Sequence, residues 1–205
     1  MNRSISLDSV RSLFRRGPIA LAGWIFLALC IPLGLLLPAT VGETGPVEIL
    51  QLVVLVCGMV LCLSQAARRN SGTWSPHAKY LWISGALLFL VLVMRETSCG
   101  RAYCLGPDGL PLRRSEWGVL GKLEHPAYAL VMLACAVCAL AGNCFKALRI
   151  AMIPTVLLVL GGMFAIVASV AEVFDGEHIE ELAELGFYCV LVHALCDTIA
   201  MLRHA

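Results

Sequence analysis

Charge is what this sequence has least of. Only 14 % of its 205 residues are Asp, Glu, Lys or Arg, where a soluble domain carries about 25 %. Hydrophobic residues make up 60 %, against roughly 45–50 % in water-soluble chains. That is more apolar surface than one water-facing globule of this length can bury. A basic excess is also missing. The formal net charge is +1, which gives none of the electrostatic footprint of a nucleic-acid binder. There is no short h-region followed by a small-residue cleavage site, so the first apolar run, Pro18 to Pro38, is expected as a retained span rather than a signal peptide. Internal repeats, low-complexity tracts, a nucleophile motif and a complete metal signature are absent too.

What is present is a series of long apolar runs. A spanning helix needs about 20 mostly apolar residues. Six stretches meet or approach that length, at about 18–38, 46–66, 77–96, 126–143, 149–171 and 182–203. The expected fold is all-α, an integral membrane bundle of about six transmembrane helices in a single domain, 1–205. Orientation follows from Lys and Arg, which cytoplasmic loops retain. Arg3, Arg11, Arg15, Arg16, Arg68, Arg69, Lys79, Lys146, Arg149 and Arg203 fall on one side, ten of the fifteen basic residues. This side is expected to be cytoplasmic and holds both termini. The opposite side carries twelve of the fourteen acids, all but Asp8 and Asp197. The basic bias is explained by topology alone, but the acidic clustering is not, because Asp and Glu contribute little to the rule.

Aromatic residues suit the same frame. Trp24, Trp74, Tyr80 and Trp82 fall near the inner interface, and Tyr103, Trp117 and Tyr128 near the outer one, as membrane anchors. The longest loop, about Arg95 to His125, carries the turn signal Gly106-Pro107-Asp108-Gly109. After it, Ser115 is expected to cap a short surface helix bearing Trp117, Leu120 and Leu123, with a span opening near His125-Pro126. Small or polar residues recur at helical spacing. Gly162, Ala165, Ser169 and Glu172 form one stripe, and Gln51, Gly58, Cys62 and Gln65, with Glu48 a turn above, form another. Small residues of this kind let membrane helices pack closely.

Ionisable residues near lipid need a partner or water. Arg95 and Glu96 end the third span. Neighbours on a helix point about 100° apart, so Arg95 is expected to clamp a carboxylate of another helix or an anionic ligand group. Glu177, Glu181 and Glu184 share a face at the start of the last span. Carboxylates so placed repel unless a cation or a proton lies between them, and acids in a first turn also complement the helix dipole. Glu177, His178 and Glu181 are the candidate metal ligands, which makes a divalent metal the one cofactor the sequence suggests. Deeper in the same span, His193 and Asp197 are four apart and share a face. The candidate binding set is therefore Glu48, Arg95, Glu96, Arg101, Glu172, Glu181, Glu184 and His193, expected to converge on an outward-opening cavity. Cys99 and Cys104 fall in the outer loop and are the candidate disulfide. The other eight cysteines lie in spans or on the inner side and read as small apolar residues.

The run Arg95-Glu96-Thr97-Ser98-Cys99-Gly100-Arg101 resembles the R-E-x-S-W-G-R signature of an uncharacterised family of bacterial polytopic inner-membrane proteins. Cys99 stands where that signature has Trp. Glu43-Thr44-Gly45-Pro46-Val47-Glu48 and Gly176-Glu177-His178-Ile179-Glu180-Glu181 are similar to the same set. The resemblance implies a multi-span inner-membrane protein and no particular activity. Membrane hydrolases related to alkaline ceramidase hold zinc with histidines in the spans, including an H-x-x-x-H pair; this chain has His193-x-x-x-Asp197 and too few histidines in its spans, so it does not match them. The residues thus point to a site that binds, and acts on, a polar or lipid headgroup. The alternatives are a proton- or cation-coupled transporter and a non-catalytic membrane subunit or assembly factor. The expected partners are membrane lipids, with no nucleic acid.

Overall fold

A computed structural model describes residues 22–29, 32–33, 45–68, 78–104, 113, 116–144, 155–174 and 177–203. Among these, every regular element is helical and no strand occurs. The helices are α1 (22–29), α2 (Pro46–Ala67), α3 (Ala78–Glu96), α4 (Gly118–Ala141), α5 (Thr155–Val173) and α6 (Glu177–Arg203), with a 3-10 helix at Ser98–Tyr103 after α3. Three are long and apolar enough to cross a membrane: α2, α4 and the stretch His178–Ile199 of α6. Contacts group the chain into two compact units, Glu43–Met152 and Met1–Gly42 with Ile153–Ala205.

The first unit is built from α2, α3 and α4. Pro46 opens α2, where its fixed φ suits the first turn and its missing N–H costs nothing. The buried face of α2 is Glu48, Gln51, Leu55, Gly58 and Cys62, at helical steps of three and four. This is the expected stripe as far as Cys62, extended by Leu55; Gln65, its last expected member, is only half-buried. The opposite face exposes Ile49, Leu50, Val53, Val56, Val60 and Leu63. Polar groups inside and aliphatic groups outside invert the pattern of a water-soluble helix, an order consistent with a helix long and apolar enough to cross a membrane. Helix α3 packs antiparallel on α2: the Phe89 ring occupies the space where Gly58 has no side chain, and Cys62 Sγ lies 2.9 Å from where a Cβ on Gly85 would stand.

Helix α4 is also antiparallel to α3 and is pinned at three levels. The Tyr128 hydroxyl donates to the Val91 carbonyl at 2.9 Å. One heptad away on each helix, the Ser84 hydroxyl donates to the Cys135 carbonyl at 3.0 Å, and the Cys135 thiol donates to the Ser84 carbonyl at 3.4 Å. At the far end, a Cβ on Gly142 would meet the Leu81 backbone nitrogen at 2.8 Å, so only glycine allows that approach. The expected surface helix and the expected span starting at Pro126 are one helix of 24 residues. The apolar period of Leu120, Leu123, Leu130 and Leu133 continues in phase across Pro126, which removes a single backbone donor and does not end the helix. The helix is entered through a turn in which the Glu116 carboxylate accepts from the Arg113 N–H at 2.8 Å. The Ser115 cap lies outside the described residues.

The second unit is built from α1, α5 and α6. Gly23 sits against Leu160, and the Phe26 and Phe164 rings lie 6.0 Å apart, so α1 and α5 run side by side in the same direction. Helix α6 runs back along α5. The Phe164 ring fills the notch at Gly186, and Gly161 faces Val190 and Phe187 at 3.5 and 3.9 Å from a built Cβ. The packed face of α5 is thus Leu157, Leu160, Gly161, Phe164, Ala168 and Ala171. The stripe Gly162, Ala165, Ser169 and Glu172, expected to pack, is exposed instead. Phe164 is the reason: a ring buries far more area than small residues do, and Gly186 opposite supplies the room for it.

Candidate functional site

In the first unit, the polar end of the buried α2 face meets the end of α3. Helix α3 stops where the Thr97 N–H and hydroxyl both donate to the Val93 carbonyl, at 3.0 and 2.9 Å. The same hydroxyl accepts the Gly100 N–H at 3.1 Å. The chain then turns through three consecutive left-handed residues, Ser98 (φ 46), Cys99 (φ 57) and Gly100 (φ 93). Glycine takes this conformation freely, whereas each of the other two pays about 1–2 kcal/mol for it. The turn swings Arg101 and Tyr103 back beside the helix ends.

Four sequence-selected residues therefore belong to one end of this unit: Glu48, Arg95, Glu96 and Arg101. Glu48 is 6 % exposed and its neighbour on the face, Gln51, 0 %. Arg95 lies 3.7 Å from Glu96 through Nη1 and Oε1, with side chains 51 % and 7 % exposed. The expected 100° divergence is overcome by the length of the arginine side chain, which reaches back to its neighbour. At 3.7 Å the contact is an ion pair and not a hydrogen bond. Tyr103, read from sequence as a membrane anchor, has a phenol pushed above its ordinary pKa by burial and then by the Glu48 and Glu96 carboxylates. Both acids therefore lie close enough to favour the neutral O–H, which keeps Tyr103 a hydrogen-bond donor. Glu124 of α4 is a further acid here, because it raises the Cys99 thiol after the larger effect of burial. No sequence signal marked Glu124; only the α3–α4 packing brings it to this end.

Cys99 and Cys104, the candidate disulfide, carry no sulfur–sulfur bond in this structure. The Cys104 thiol instead donates to the Gly100 carbonyl at 3.6 Å. In the same unit Cys135, half of a C-x-x-C pair, serves as a polar staple to Ser84.

The remaining candidates belong to the second unit. Glu184 is buried, Glu181 half-buried and Glu172 exposed. Glu177 opens α6, but its side chain lies outside the described residues. His178 is half-buried, and its Nδ1 makes no hydrogen bond among the described residues. His193 and Asp197 do share a face, with Nε2 and Oδ2 3.8 Å apart and both side chains partly buried.

No protein-family model, no curated protein and no solved structure matches this chain.

Proposed function

We propose that this chain is a six-span protein of the bacterial inner (plasma) membrane, with both termini cytoplasmic. Its outward end, formed by Glu48, Arg95, Glu96 and Arg101 with Tyr103, binds a polar or lipid headgroup. The observation that carries the reading is the inverted burial of α2. Glu48 and Gln51 are buried while the aliphatic residues on the other side of the same turns are exposed. An acid held inside a helix group whose outer surface suits hydrocarbon is costly, and such residues are retained for function by default. The parallel course of α1 and α5 and the antiparallel course of the packed neighbours are what six alternating spans require. The resemblance carried by Arg95–Arg101 agrees with the membrane assignment.

The chemistry follows from the groups. The half-exposed Arg95 guanidinium is a planar fork suited to a phosphate. The Tyr103 hydroxyl donates, and the two buried carboxylates accept from hydroxyl or ammonium groups of the same ligand. A carboxylate so placed can also act as a base, so binding extends naturally to acid–base chemistry on the headgroup. Glu172, Glu181, Glu184 and His193 belong to the other unit; Glu172 and Glu181 enter through a separate test below. A second reading, a proton- or cation-coupled carrier, is favoured by the His193–Asp197 pair within a membrane-length helix.

The test is thermal unfolding of the purified protein in detergent while phosphoethanolamine, phosphocholine or glycerol phosphate is titrated. A ligand at 100 times its Kd stabilises by about 2.7 kcal/mol. At least one headgroup should raise the midpoint, and Arg95→Ala should abolish the rise. No shift with any headgroup, or equal shifts in wild type and Arg95→Ala, would overturn the binding reading.

A further inference from the structure

Two thiols flank Arg101 in the turn after α3, and the binding reading uses neither of them. Cys99 and Cys104 are both free and both half-buried. The Cys104 thiol rests on the Gly100 carbonyl at 3.6 Å, which sets its sulfur against the residue next to Cys99. The chain between them is not a straight helix, because Cys99 (φ 57, ψ 27) and Gly100 (φ 93, ψ -6) fold it back. A Cβ placed on Gly100 would meet nothing within 4 Å, so no neighbouring helix is wedged against the turn there. Disulfides need Cα atoms about 4.4–6.8 Å apart, a spacing within reach of a chain that folds back over five residues. The other described cysteines of this unit, Cys57, Cys62, Cys135, Cys138 and Cys144, lie in α2, in α4 or just beyond it.

We propose that Cys99 and Cys104 are an exchangeable thiol pair, oxidised by an external low-molecular-weight disulfide to a bond that closes a ring around Gly100, Arg101 and Tyr103. In the first step a Cys104 thiolate attacks one sulfur of the external disulfide, forms a mixed disulfide and releases one thiolate. The Cys99 thiolate then attacks the Cys104 sulfur, forms the internal bond and releases the second. The two protons lost by the cysteines complete two external thiols, and the two electrons pass to the external disulfide. Burial and Glu124 hold the Cys99 thiol above its ordinary range. The balance is the same whichever thiol attacks first. Closure would fix Arg101 within the ring. Its effect on ligand binding rests on the reading above, whereas the thiol chemistry does not.

Trypsin provides a direct test, since cleavage after Arg95, Arg101 and Arg113 puts Cys99 in peptide 96–101 and Cys104 in peptide 102–113. The full-length protein in detergent is incubated with oxidised glutathione, alkylated under denaturing conditions, digested and mapped by mass spectrometry. The expected product is 96–101 joined to 102–113, two hydrogens lighter than the pair, and lost on prior reduction. Recovery of the two peptides separately, alkylated or each carrying glutathione, overturns the proposal, as does linkage of either to another cysteine. Detergent exposes both faces, so the result depends on neither the topology nor headgroup binding.

Discussion

Gly58→Ala probes the contact that registers α2 on α3, and with it the position of Glu48 and Gln51 at the end of the unit. A Cβ on Gly58 would stand 2.5 Å from Cζ and 2.8 Å from Cδ1 of Phe89. Ordinary carbon contacts lie at about 3.5–4.0 Å. The ring must therefore retreat by about 1 Å, and it is buried with little room to do so. Overpacking of this kind costs about 1–3 kcal/mol. Against this, alanine is favoured over glycine within a helix by about 1 kcal/mol. Gly162→Ala isolates that gain, because a Cβ there meets nothing within 4 Å. Relative to Gly162→Ala, Gly58→Ala should thus be worse by about 1–3 kcal/mol. Phe89→Leu in the Gly58→Ala background should recover part of the loss, since the clashing ring is gone. The assay is unfolding by SDS titration in mixed micelles, followed by circular dichroism. If Gly58→Ala stabilises as much as Gly162→Ala, the α2–α3 register described above is wrong.

Tyr128→Phe removes the hydroxyl that reaches the Val91 carbonyl and should cost about 0.5–1.5 kcal/mol in the same assay; no loss would mean that α4 is not pinned there. The Tyr103 phenol should ionise above the ordinary phenol range, and Glu48→Gln should bring it down, because one of the charges opposing phenolate is removed. Carbon-13 tyrosine NMR across alkaline pH reads both, and an unmoved titration would place Glu48 away from Tyr103. The sequence-level expectation that Arg95 balances Glu172 and Glu181 predicts non-additive stability changes when Arg95→Ala is combined with Glu172→Gln or Glu181→Gln; strict additivity would separate them. A reporter fused after Ala205 should be active only in the cytoplasm, and activity outside would mean an odd number of spans.

The sequence by itself determined how apolar the surroundings must be. Its apolar runs and sparse charge call for lipid or a partner around most of the chain, and three of the described helices are long and apolar enough to cross a membrane. It also placed the packed face of α2, because Gln51, Gly58 and Cys62 differ so clearly from the aliphatic residues between them. It could not choose between two small-residue faces on α5, since Gly161 and Gly162 are equivalent until Phe164 finds Gly186 on another helix. Pro126 read as a boundary because local rules put proline near helix starts, yet its neighbours kept the helical period and α3 gave them a surface to hold. Of the candidate site, the membership of Glu48, Arg95, Glu96 and Arg101 was legible as charge where charge is expensive. Their arrangement was not, because it depends on three left-handed residues that no pattern in Ser98-Cys99-Gly100 announces. Tyr103 and Glu124 join only through that turn and the packing of α4. Composition fixes which environment a chain must seek, a sum over residues; which side chains meet depends on shapes fitting across helices distant in sequence, and only the tertiary structure decides that.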